Sequence, residues 1–114
     1  MSKSTPSCCA ESNGIAKGDL NNDGWADMVV DNTGTGNNSF IWQNTGSSGN
    51  NYVKITLHGV ISNKMAIGSW IRVYIGNQTL TEYTKCGEGF LSENSQHCIF
   101  GLGLAQIVDS IEIE

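Results

Sequence analysis

The sequence predicts an all-β fold, a single small β-sandwich or distorted barrel of about seven or eight strands with a loop-bearing hairpin at one end. Short segments alternate apolar and polar residues, which is the period of a strand with one buried face. Glycine occurs 14 times and proline once, and Asn, Ser and Thr are abundant, which is typical of many turns. No segment carries a convincing helical period.

Length and charge set the first limits on function. A chain of 114 residues is one ordinary domain and can bury roughly 65% of its unfolded surface, so it can form a core without a staple. The net charge is −5 and the six Lys and Arg residues are scattered, which argues against a nucleic-acid partner. The chain contains no apolar run of about 20 residues, so the sequence predicts no membrane-spanning helix. The first residues also lack the apolar segment of a secretory signal.

The first third of the chain predicts a lead followed by a hairpin. Residues 1–13 are rich in Ser, Cys and Asn, and we expect a flexible lead there, with one β domain over 14–114. Within that domain, 15–17 and 27–31 are predicted strands on either side of a polar loop. Residues 39–43 form the returning strand.

The second part of the chain continues as strands after a connector rich in Asn, Gly and Ser at 44–51. Val53, Ile55 and Leu57 alternate with polar residues, as expected for a half-buried strand. Further predicted strands, in chain order, are 70–75, 79–84, 98–100 and 107–113. Ile71, Val73 and Ile75 form the apolar face of the 70–75 strand, and we expect that face in the core.

The polar loop has the oxygen spacing by which a short segment wraps a hard cation. Aspartate or asparagine stands at loop positions 1, 3, 5 and 9, a glycine at position 6, and a carbonyl is available at position 7. The sequence therefore predicts a Ca²⁺ site, since Mg²⁺ gives up its waters reluctantly. The predicted ligands are Asp19, Asn21, Asp23, the Trp25 backbone carbonyl and Asp27.

The same loop pattern is open to two other interpretations. An EF-hand needs a bidentate Glu at position 12, where this chain has Val30, so Asp27 must supply the late carboxylate. Alternatively, the Asp and Asn side chains only form Asx-turns around a left-handed Gly24. Three aspartates in this register repel one another without a cation, which favours the ion site.

Cysteines and catalytic residues give weaker signals. Cys86 and Cys98 are separated by eleven residues and flank a Gly-rich loop, so they are a candidate disulfide, with two buried thiols as the alternative. His58 and His97 lie on separate predicted strands without a nucleophile motif, so we expect no enzyme activity.

One pair of aromatic residues is a candidate interface. Trp70 and Tyr74 share the strand face opposite the predicted apolar stripe, and aromatic side chains on an exposed face favour a protein or sugar partner. Unpaired edge strands offer a second route to a partner, including a homodimer. The sequence does not identify the protein or glycan ligand.

Two known families resemble successive parts of the chain. Residues 14–44 resemble an FG-GAP/VCBS-type calcium-binding repeat, through the Gly-Asp-x-Asn-x-Asp-Gly-x-x-Asp pattern at 18–27 and the apolar strand after it. Residues 52–114 resemble the ASPIC/UnbV domain. The matching stretches in this part are Ser62-Asn63-Lys64, Ala66-Ile67-Gly68, Gly87-Glu88-Gly89-Phe90-Leu91-Ser92, Phe100-Gly101-Leu102-Gly103 and Val108-Asp109.

The resemblance implies a calcium-binding module, without catalysis, that serves structure or interaction in extracellular or cell-surface adhesion-type proteins. FG-GAP repeats usually occur in series as propeller blades, whereas one repeat cannot build a propeller of roughly four to eight blades. We therefore expect the repeat to pack on the ASPIC-like strands. The alternative function is a carbohydrate-binding module or weak carbohydrate-active hydrolase.

Overall fold

The computed structural model describes residues 11–34, 36, 38–46, 49–61 and 63–114 and is all-β over these residues, which confirms the predicted fold class. No described helix is long and apolar enough to cross a membrane. Residues 1–10 of the predicted lead, with Cys8 and Cys9, lie outside the described residues. The eight strands are β1 (Glu11–Gly18), β2 (Asp27–Thr33), β3 (Phe40–Trp42), β4 (Asn51–Ile55), β5 (Trp70–Ile75), β6 (Gln78–Tyr83), β7 (Cys98–Gly103) and β8 (Ser110–Ile113).

The strands form three antiparallel sheets in two compact units. The first unit contains the described residues up to Gly46 together with Gly87–Ser95, and its sheet has the order β1-β2-β3. The second unit contains the described residues from Gly49 to Cys86 together with Gln96–Glu114. It holds the pair β4-β7 and the sheet β6-β5-β8. Residues 87–95 thus belong with the hairpin of β1 and β2, although their sequence position puts them among the later strands.

Polar side chains extend the hairpin of the first unit beyond the predicted strands. β1 begins at Glu11 rather than at Ile15. Ser12 Oγ donates to Asn32 Oδ1 at 2.7 Å, and Asn13 Nδ2 donates to Thr33 Oγ1 at 2.6 Å. Cross-strand bonds between polar side chains produce no apolar periodicity, which is why the sequence pattern predicts a lead rather than a strand at residues 11–13.

Residues 87–95 run beside β1. The Lys17 N–H donates to Asn94 Oδ1 at 2.9 Å, and the Ser95 N–H donates to the Lys17 carbonyl at 3.0 Å. Gly89 and Ser92 form an antiparallel bridge, with Phe90 and Leu91 at its tip, 72% and 86% exposed. A Cβ on Gly89 would lie 2.0 Å from Ser92 Oγ and 3.2 Å from the Ile15 carbonyl oxygen, so any other residue there would require the Ser92 side chain to move.

The second unit is a small sandwich around β5. Ile71 and Val73 are fully buried and Ile75 is 9% exposed, so the predicted apolar stripe does form the core. Cys98 and Phe100 of β7 complete the buried cluster. Partly buried residues from both sheets surround this cluster, because the alternating pattern gives each sheet a single apolar face. The partly buried members are Val53, Ile55, Leu57, Leu80, Leu102, Ala105 and Val108.

The outer face of β5 carries an ion-pair network with β8. Arg72 contacts the carboxylates of Glu112 at 3.3 Å and Glu114 at 3.0 Å, and the Tyr74 hydroxyl donates to Glu112 at 2.8 Å. The Tyr74 hydrogen bond, followed by the Arg72 hydrogen bond, lowers the pKa of Glu112 below its ordinary value of 4.5. The same bond to Glu112 raises the pKa of Tyr74.

The lowered pKa predicts acid sensitivity at β8. A carboxyl whose folded pKa is lowered stabilises the fold above its unfolded pKa and loses this contribution as the pH falls through the folded value. The difference in free energy of unfolding between the parent chain and Glu112→Gln should therefore shrink below pH 4.5. Urea unfolding at a series of pH values measures it. In a Tyr74→Phe, Arg72→Gln background the same exchange should give a difference that no longer shrinks; an unaltered pH trend there would contradict this assignment.

The tip of the 87–95 segment gives a second prediction. Leu91 has φ +50°, a left-handed conformation that costs a non-glycine residue about 1–2 kcal/mol. Leu91→Gly should raise the free energy of unfolding by about 0.5 kcal/mol, because this relief exceeds glycine's added entropy cost of about 0.5–1 kcal/mol. Phe90→Gly is the matched control without positive φ and should be destabilising. Equal losses in both variants by chemical unfolding would refute the strain at Leu91.

Candidate metal centre

Four of the five predicted ligand residues lie on the loop between β1 and β2, and the fifth, Asp27, is the first residue of β2. Gly18 pairs with Asp27, so residues 19–26 close the hairpin. Asn21 and Asp23 are exposed, Asp19 and Trp25 are half-buried, and Asp27 is 2% exposed. The loop therefore offers carboxylates both at its surface and in its interior.

Asp19 folds the first half of the loop around its own carboxylate. The N–H groups of Asp23 and Gly24 donate to its two oxygens at 3.0 and 3.1 Å. Gly24 has φ +86°, the left-handed conformation that glycine adopts without penalty. The glycine at loop position 6 thus makes the sharp turn for which the spacing calls.

Asn21 and Asp23 form local side-chain turns. The Trp25 N–H donates to Asp23 Oδ1 at 2.8 Å, and the Asp23 N–H donates to Asn21 Oδ1 at 3.2 Å. Asn21 Nδ2 donates to Asp23 Oδ2 at 2.7 Å. These are the Asx-turn bonds of the alternative interpretation. In the structure, N–H groups of the loop itself are therefore the donors to the Asn21 and Asp23 side-chain oxygens.

Asp27 joins three parts of the first unit. Its Oδ2 accepts the Leu20 N–H at 2.9 Å, and its Oδ1 accepts the Asn44 N–H at 2.8 Å. The carboxylate thereby connects the loop, the start of β2 and the chain leaving β3. Burying a carboxylate is expensive unless its charge is compensated, and no Lys or Arg among the described residues forms an ion pair with it.

The loop fits a cation in its donor chemistry and backbone, but its acids do not converge. All five predicted donors are oxygens, the ligand type that Ca²⁺ takes. Within the part of the chain that the structure describes, however, no group of three or more His, Cys, Asp or Glu side chains is arranged to hold a metal ion. A bound ion would therefore also need oxygens that are not acidic, which the predicted ligand set supplies as the Asn21 amide oxygen and the Trp25 carbonyl.

Trp25 fixes the segment that follows β3. A Cβ on Gly46 would lie 2.3 Å from Trp25 Cε2, so the indole ring lies directly against the Gly46 backbone. Neither Asn44 nor Gly46 is apparent as a site residue in the sequence. Asn44 contributes a backbone N–H and Gly46 contributes empty space, and neither leaves a residue pattern.

The two aromatic residues predicted as an interface lie in the second unit. Trp70 is 43% exposed and contacts Tyr83 with ring centroids 4.9 Å apart at 50°. Tyr74 is half-buried and bonded to Glu112. They share the face opposite the buried stripe, and their role as an interface stays a prediction.

The cysteines and histidines of the second unit are placed separately. Cys86 and Cys98 are both free thiols, the first exposed and the second in the core, and their disulfide stays a prediction. His97 Nδ1 and Thr56 Oγ1 are 2.6 Å apart at the surface. No local sequence pattern indicates this pair, because its members are 41 residues apart.

Comparison with known proteins gives a family match in the second part of the chain. Residues 59–114 match the family described as ASPIC and UnbV. The resemblance predicted for that part of the chain is thus confirmed, whereas the FG-GAP/VCBS-type resemblance of 14–44 stays a prediction. Comparisons with curated proteins and with solved structures gave no match.

The contact between Trp25 and Gly46 gives a testable prediction. Gly46→Ala should lower the free energy of unfolding by about 1–3 kcal/mol, because the added methyl group overlaps the indole ring. Gly101→Ala is the matched control, since a Cβ there meets nothing within 4 Å. Urea unfolding compares the two variants, and equal stability would show that Trp25 does not occupy this position.

Proposed function

We propose that this chain is a calcium-binding β module, without catalysis, that serves structure or interaction in the manner of parts of extracellular adhesion-type proteins. The observation that carries the proposal is the interior of the first unit. Among its described residues the buried positions are Gly24, Asp27 and Asn32, and none is an apolar side chain. A small unit without an apolar core usually depends on a metal, a disulfide or a partner.

The loop can supply such a metal tie. Asp19, Asp23 and Asp27 bring three negative charges into one nine-residue segment, and a divalent cation would offset their repulsion. An ionised carboxylate has about four acceptor positions. The two amide bonds of Asp27 use one position on each oxygen, so metal ligation can add to these bonds.

The resemblances support the same proposal. The ASPIC and UnbV match at 59–114 agrees with an interaction module. The loop pattern at 18–27 resembles the calcium loop of FG-GAP/VCBS-type repeats. The extracellular location rests on these resemblances.

The affinity decides how much the ion stabilises the fold. At about 2 mM free Ca²⁺, a Kd near 10 μM would add about 3 kcal/mol, and a Kd near 1 mM only about 0.6 kcal/mol. The first value is a large share of the stability of a small domain. A structural role for the ion therefore requires the tighter regime.

Thermal unfolding with calcium and with chelator tests the proposal. The unfolding midpoint should be several degrees higher in about 2 mM Ca²⁺ than in EDTA. Asp23→Ala should remove this shift, because it deletes an exposed carboxylate at loop position 5. Glu93→Gln is the matched control: it removes one exposed carboxylate of the same unit outside the loop and should keep the shift.

Two results would contradict the proposal. An identical midpoint in Ca²⁺ and EDTA would exclude a stabilising ion. A shift that Asp23→Ala leaves intact would place the ion elsewhere in the chain.

A further inference from the structure

We propose that a cavity beside the loop, on β2 and β3 of the first unit, binds an uncharged sugar ring stacked on Trp42. The cavity has a volume of ≈ 390 Å³, within the range of small-molecule sites of about 300–1,000 Å³. The residues that line it are Ala26, Met28, Trp42, Gln43, Asn44 and Thr45.

The lining combines an apolar floor with a neutral polar edge. Met28 and Trp42 are paired across β2 and β3, and both are half-buried. Gln43, Asn44 and Thr45 follow at the strand end and are exposed. Within the described chain the side chains of these three residues make no hydrogen bond, so their donors and acceptors are available to a ligand.

A sugar ring matches this arrangement. A pyranose has a C–H face that packs on an aromatic ring, and its hydroxyls can exchange hydrogen bonds with two amides and a hydroxyl. None of the six lining residues is ionisable. A charged ligand would therefore lose its hydration without a counter-charge, and a purely apolar ligand would desolvate the polar edge without replacing its hydrogen bonds.

The cavity wall is held in place before any ligand arrives. The Asn44 N–H is bonded to the buried Asp27 carboxylate, and Gly46 lies against the Trp25 ring. Asp27 is 2% exposed and is not among the lining residues, so its carboxylate does not contact a ligand in the cavity. A fixed wall lowers the ordering cost of binding.

The sugar proposal stands apart from the calcium proposal. None of the six lining residues is among the five predicted calcium ligands. Failure of the calcium test would appear as an unshifted unfolding midpoint, whereas failure of the sugar test would appear as an absent binding isotherm. Each result can be read without the other.

Titration of the full chain with methyl glycosides of glucose, galactose, mannose and N-acetylglucosamine tests the site. Tryptophan fluorescence and isothermal titration calorimetry should show weak saturable binding of at least one of them. Trp42→Ala should weaken it about tenfold or more, equivalent to about 1.4 kcal/mol. Phe90→Ala, which removes a 72% exposed aromatic ring of the same unit outside the cavity lining, should leave the affinity unchanged.

A second variant guards against misfolding of Trp42→Ala. The double exchange Gln43→Ala, Asn44→Ala removes two exposed side chains and keeps the Asn44 backbone N–H, so the fold should persist while sugar affinity falls several-fold. Absence of saturable binding by all four glycosides would overturn the proposal. Equal affinity in the double variant, or equally tight binding of glucuronate or benzyl alcohol, would also overturn it.

Discussion

The first unit depends on one buried carboxylate. Asp27 accepts the Leu20 N–H from the loop and the Asn44 N–H from the chain after β3. Two segments that lie far apart along the chain thus share one side chain at the start of β2. Removing its oxygens would leave both amides without these partners, and each such hydrogen bond contributes about 1 kcal/mol or more. The carboxylate therefore holds both the 19–26 loop and the segment that follows β3 and lines the Trp42 cavity.

The two units are stabilised by different physical means. In the second unit, Ile71 and Val73 are completely buried between two sheets, and each such side chain contributes about 1.5–3 kcal/mol by leaving water. The buried side chains described in the first unit are polar: Asp27, and Asn32, which accepts from Ser12 Oγ and donates to the Asn38 carbonyl. Such bonds contribute about 1 kcal/mol each but are directional. They specify the loop conformation more strongly than they stabilise it, which is why a cation there would matter.

Sequence reasoning succeeded where the pattern is local. Alternation at 70–75 identified the core of the second unit, because side chains two residues apart on a strand share a face. The spacing at 19–27 identified the loop and its left-handed Gly24. Local patterns do not reveal the strand at 11–13, the position of 87–95 beside β1, or the roles of Asn44 and Gly46. Those features depend on side-chain amides, backbone N–H groups and a missing Cβ. Each of these acts through a contact with a residue far away in the sequence, so no local pattern indicates it.

The segment that matches a family has its strand and hydrogen-bond partners partly outside itself, in both compact units. Residues 59–114 carry the ASPIC and UnbV match, yet β7 within that segment pairs with β4, which precedes it. Residues 87–95, with the Gly-x-Gly-Phe-Leu-Ser stretch, take their hydrogen bonds from Lys17 of β1. The matched segment alone therefore does not contain the strand that pairs with β7, nor the residue of β1 that bonds to the Gly-rich stretch. Because β4 and β1 both precede residue 59, the matched segment by itself lacks contacts that each of the two units contains.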